Sequence, residues 1–126
     1  MVEVDIMDNK INYMREQGID IDTAIENMID FDTYYEIMQE FFNTIDEVKE
    51  KLANYKNQND MPNYAIEVHA LKSNVRSLGF MKLGDLAYEH ELKSKDNDIN
   101  FVNSDFDHLM QEVENMKNIL STCINL

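Results

Sequence analysis

The stretch Tyr64-Ala65-Ile66-Glu67-Val68-His69-Ala70-Leu71-Lys72-Ser73-Asn74-Val75-Arg76-Ser77-Leu78-Gly79-Phe80 decides how the rest of the 126-residue chain is read. Tyr64, Val68, Leu71, Val75 and Leu78 recur at alternating spacings of four and three, so they share one face of a helix. Gly79 ends that helix, because glycine enters the left-handed conformation that closes a helical terminus. Upstream, Pro62 suits a first turn, where its missing N–H is no loss, and the helix is predicted from Pro62 to Leu78.

The same periodicity continues outward. A helix is predicted over Phe31–Lys56, carrying Tyr34, Met38, Phe41, Ile45, Val48, Leu52 and Tyr55 on one face. Another is predicted over Phe80–Lys95, with Leu83, Leu86 and Ala87 inward, and a last over Ile99–Ile124 with Val102, Phe106, Leu109, Val113, Met116, Leu120 and Cys123. Short connections between long helices favour antiparallel neighbours. The expected fold is all-α, an antiparallel up-down four-helix bundle over 31–126. Shorter helices at 8–17 and 21–29, parted by Gly18, cap it within residues 1–30. A single Pro and three Gly agree with long uninterrupted elements.

Composition narrows the function. A formal net charge of −14, with no Lys/Arg stripe, excludes nucleic acid and anionic membrane surfaces as partners. The start Met1-Val2-Glu3-Val4-Asp5 lacks the basic, then apolar, pattern of a secretory leader, and no apolar run nears the ~18 residues of a membrane span, so a cytoplasmic protein is expected. The lone Cys123 is expected in the core. His69, His90 and His108 lack the spacing of a metal pair, so no metal or other cofactor is expected on this chain. His90 is expected at an interior or boundary position, and His108 on the surface beside Glu112.

Within the deciding stretch, His69 falls roughly 140° from the centre of the apolar stripe at ~100° per residue, on the solvent side. Ala65, one turn before it, and Lys72, Ser73 and Arg76 after it line one expected exposed strip with it. From Val68 to Gly84 there is no Asp or Glu, where composition predicts about three. Lys72, Arg76 and Lys82 lie in that gap. A neutral imidazole nitrogen is a competent nucleophile near neutral pH. Phosphoryl transfer needs mainly positioning and neutralisation of oxygen charge, which a lysine one turn along, a serine hydroxyl and a further arginine could supply. With no Gly-rich phosphate loop, the chain has no kinase activity of its own. Tyr35 and Phe42, just outside the seam of their helix, are read either as wide-face packing or as an apolar docking patch that Ile66 joins beside His69, with the small Ala65 leaving room for a partner.

The series His69, Leu71, Lys72, Ser73, Leu78, Gly79, Phe80 and Leu83 resembles the signature of histidine phosphotransfer (HPt) domains. The resemblance implies His69 as phospho-acceptor, Lys72 assisting the phosphoryl group and Gly79 shaping the turn. Ser73 departs from the glycine more common there. Implied partners are receiver domains of response regulators or hybrid histidine kinases, with Mg²⁺ on the receiver. A monomer is expected, and Met1 with a full set of helices favours a free-standing protein over a piece of a hybrid kinase. The alternative function is an interaction module that docks a receiver or other signalling protein without carrying phosphate.

Overall fold

The computed structural model describes residues 2–126, with side chains from residue 6 onward; Met1 and the side chains of residues 2–5, on which the reading of the leader region rests, lie outside the described residues. The described chain is wholly helical: α1 (Val2–Glu16), α2 (Ile21–Asn27), α3 (Phe31–Phe42), α4 (Ile45–Asn57), α5 (Met61–Ser77), α6 (Met81–Lys95) and α7 (Ile99–Ile124). None is long and apolar enough to cross a membrane among the described residues. Helix α4 packs on α5, α5 most extensively on α6, α6 on α7, and α7 back on α4. The periodic residues meet inside this ring: Tyr64, Val68 and Val75 from α5, Leu52 from α4, Ala87 from α6 and Val102, Leu109 and Leu120 from α7 are all buried.

The helix expected over Phe31–Lys56 is two helices. At the junction, Thr44 takes the Phe41 carbonyl both with its backbone N–H (2.9 Å) and with its Oγ1 hydroxyl (2.8 Å), skipping the carbonyl four residues back. Such back-bonding by threonine bends a helix. Asn43 and Thr44 keep right-handed helical angles, so the buried stripe Tyr34, Met38, Phe41, Ile45, Leu52 runs through the bend unbroken. The periodicity is correct and cannot see the interruption. The amino-terminal helix, expected at 8–17, begins at Val2, and α2 stops at Asn27 rather than at Ile29.

The turns are built alike. At Gly18, Asn59, Gly79 and Asn97 the chain adopts positive φ, and the next residue donates its N–H to the carbonyl five back. These paired bonds satisfy carbonyls that a helix end leaves open. Asp60 and Asp98 then accept the N–H of Asn63 and Phe101 to start α5 and α7. Gly79 carries a second constraint. The Asp20 N–H donates to its carbonyl at 3.0 Å, and a Cβ at Gly79 would lie 2.6 Å from the Asp20 carbonyl oxygen. The α1–α2 connection is thereby seated on the α5–α6 turn. Lys10 fastens the same region, donating to the carbonyls of Cys123 (2.7 Å) and Ile124 (3.1 Å) at the end of α7.

Among the described residues, Ile29 is the one β-branched side chain at positive φ (83°), and it is 89 % exposed. Replacing it by glycine is expected to raise the midpoint of urea denaturation, stabilising the fold by about 1 kcal/mol. Gly79→Ala is expected to lower it, by about 2 kcal/mol or more.

Candidate functional site

His69 projects from the middle of α5 with its side chain 57 % exposed. Its Nδ1 lies 2.8 Å from Oε2 of Glu91, a residue of α6 whose carboxylate is only 3 % exposed. Lys72 donates to Oε1 of the same carboxylate at 2.6 Å, and Lys95 to Oε2 at 2.8 Å. Burial alone would push the Glu91 carboxyl upward. The hydrogen bonds from Lys72, Lys95 and His69 overcome it and hold the group down, to about 2. Glu91 is therefore an ionised acceptor near neutral pH, and a carboxylate can only accept. It follows that Nδ1 of His69 bears the hydrogen that faces Glu91, and in the neutral ring the lone pair lies on Nε2.

Lys72 does not stand on the open strip where the helical angle placed it. It is 14 % exposed, its ammonium directed across to α6, against Glu91 and 4.8 Å from the centre of the Tyr88 ring. Arg76 turns the same way: Nη2 bonds Asp85 Oδ1 at 3.1 Å and the guanidinium lies over Tyr88. Its stem lies against Gly84, where any Cβ would run into Arg76 Cγ and Nε. The acid-free window is thus not a cationic patch, because Glu91 and Asp85 from the neighbouring helix match two of its three cations. Ala65 is buried rather than exposed, since its small side chain faces the α5–α6 contact. Ser73 is exposed as expected, its carbonyl accepting the Ser77 hydroxyl.

Beside His69 opens a cleft of about 630 Å³, lined by Met61, Ala65, Ile66, Glu91 and Lys95 among others. Ile66, the most exposed large apolar side chain of α5, forms its rim. Tyr35 and Phe42 take no part in it. Both are half-buried against the core, and Tyr35 stacks on Phe31 (5.6 Å) beneath the Lys10 ammonium, by the end of α7. Their helix packs on α2 and α7, which carries them away from α5.

Behind the site, His90 is fully enclosed. Burial holds its imidazole below the ordinary value despite Asp105, so the ring is neutral. Burial also pushes the Tyr64 phenol up, so its hydroxyl donates to His90 Nδ1 (2.9 Å), and His90 Nε2–H donates to Asp105 (2.9 Å). This chain of bonds joins α5, α6 and α7 one residue from Glu91. His108 pairs with Asp105 at 3.2 Å and not with Glu112, because Asp105, already held by His90, turns its second oxygen outward. Among the described residues, no group of three or more His, Cys, Asp or Glu could hold a metal ion.

The sequence reading missed Glu91, Lys95, Tyr88 and Gly84. A signal existed. Glu91 follows Phe80 by as many positions as His69 precedes it, and the same holds for Tyr88 with Lys72 and for Gly84 with Arg76. Folding the chain back on itself at Gly79 brings each pair together.

A family model described as Hpt domain matches residues 36–119, about two thirds of the chain. No curated protein and no solved structure matches it.

The depressed Glu91 carboxyl makes stability depend on pH. In the unfolded chain the group titrates near 4.5, in the folded one near 2, so between these values the unfolded state binds more protons. The stabilisation is complete above about pH 4.5 and is lost as pH falls toward 2, a difference of about 3 kcal/mol. Urea denaturation from pH 7 down to pH 2.5 is expected to show this component in the wild type and not in Glu91→Gln.

Proposed function

The chain belongs to the Hpt domain family, which serves two-component phosphorelays, and from that premise we propose that it carries a phosphoryl group on His69 between receiver aspartates. One observation supports this reading above all. The ionised Glu91 accepts a hydrogen bond from the Nδ1–H of a solvent-facing imidazole, so the lone pair of the neutral ring lies on Nε2, the nucleophile on the outer side.

In the forward step, the Nε2 lone pair attacks the phosphorus of a receiver's aspartyl phosphate. The P–O bond to the carboxyl breaks, the carboxylate leaves, and the P–Nε2 bond forms. The ring keeps its Nδ1 proton and so gains a positive charge, which lies against the Glu91 carboxylate. That favourable contact strengthens as the charge develops, the condition for an interaction to lower a barrier. In the return step another receiver carboxylate attacks phosphorus and the imidazole leaves neutral. Charge neutralisation and in-line positioning are what such transfer requires of a protein.

On this reading Mg²⁺ sits on the receiver and the chain itself holds no cofactor. Partners are receivers of response regulators or hybrid kinases, docking over Ile66 and the cleft beside His69. Ser73, one turn from His69 and exposed, borders that surface. Turns of three residues leave consecutive helices α4 to α7 little choice but to reverse, so we take the ring as the antiparallel up-down bundle. A monomeric carrier working in the cytoplasm fits this role.

The test is incubation with a receiver carrying labelled phosphate. Label is expected on the wild type, labile in acid and stable in alkali, and absent from His69→Gln. Label that persists in His69→Gln would refute the assignment. A wild type that binds the receiver yet takes no label would mark a docking module instead.

A further inference from the structure

Two lysines share Glu91, and they are not equivalent. Lys72 is nearly enclosed, held at 2.6 Å by Oε1 and by the face of Tyr88. Drawing it away would leave a buried carboxylate without its shortest partner, a costly change. Lys95 has a single ionic anchor, the Oε2 atom that also takes His69 Nδ1, and its side chain is 60 % exposed. Its head stays largely in water while that of Lys72 does not, so Lys95 leaves the shared carboxylate at the smaller cost. Lys95 and His69 also line the same cleft.

Resting on the carrier reading above, we infer that the two ammoniums divide the work: Lys72 is a positioning residue that fixes Glu91 and hence the imidazole, and Lys95 is the cation that moves onto the phosphoryl oxygens. The assignment reverses the expectation drawn from the motif, in which Lys72 assists the phosphoryl group. A lysine stem spans the short distance between an oxygen bonded to Nδ1 and a group on the same ring. The exchange replaces one carboxylate oxygen by a doubly charged phosphoryl group, a stronger acceptor. Meanwhile Lys72 and the ring's own Nδ1–H keep Glu91 satisfied.

Phosphoramidate separates this from receiver docking, because it is a small donor. Its P–N bond breaks, ammonia leaves with a proton from solvent, and the phosphoryl group bonds to Nε2. Labelling rates are compared for wild type, Lys95→Ala, Lys95→Gln, Lys95→Arg and Lys72→Ala, each shown to be folded by circular dichroism. In parallel, ¹⁵N shifts of the His69 ring report its tautomer. Labelling is expected to slow about tenfold in Lys95→Ala and Lys95→Gln and to return within about threefold of wild type in Lys95→Arg. The Nδ1–H form is expected to persist in the three Lys95 variants and to give way to a mixture in Lys72→Ala. Wild-type labelling rates in both neutral Lys95 variants would overturn the inference. So would loss of the Nδ1–H form in those variants, or its retention in a slowed Lys72→Ala. A wild type that phosphoramidate and receiver both fail to label refutes the carrier reading itself, a result distinct from any of these.

Discussion

The reversal at Leu78-Gly79-Phe80 is the constraint on which the remaining structure rests. Gly79 must take a left-handed φ and must also lack a side chain, because the backbone of Asp20 sits where a Cβ would be. With the turn fixed, the register between α5 and α6 is fixed too, since a helix advances about 1.5 Å per residue and cannot slip without moving every contact. Register decides that His69 faces Glu91, that Lys72 faces Tyr88, and that the Arg76 stem finds the bare backbone of Gly84. The site is made by a hairpin rather than by a helix.

Chemistry then follows from enclosing one negative charge. A carboxylate out of water demands donors, and here three N–H groups converge on it. Because it is satisfied as an anion, it dictates the proton's place on the imidazole. Burial, which by itself would push the carboxyl upward, is outweighed by the hydrogen bonds of two lysines from different helices and of His69. Against a net charge of −14, this small neutral-to-positive neighbourhood is a local exception built from paired charges.

Much of the fold was legible because burial imposes a period on the sequence. The stripe along α7 was read residue for residue, and the outward turn of His69 followed from its angle to that stripe. What escaped was whatever depends on a second element. Lys72 and Arg76 lie on the correct side of α5, yet long flexible stems let their heads cross to carboxylates on α6. The bend at Thr44 escaped for another reason: the threonine satisfies a backbone carbonyl with its hydroxyl while the apolar spacing stays intact. Tyr35 and Phe42 show the same limit from the opposite side, since a position next to a seam does not say which neighbour covers it.

Lys10 gives the molecule a polarity that the site does not reveal. By gripping the last carbonyls of α7, it gathers the amino-terminal helix and the carboxyl end at one pole. The turn at Asn97, which borders the cleft, lies at the other pole, about 39 Å away along α7. A tether or fused neighbour joined beyond Leu126 would hang from the pole remote from the reactive imidazole. The working end could swing freely while the anchored end stays put.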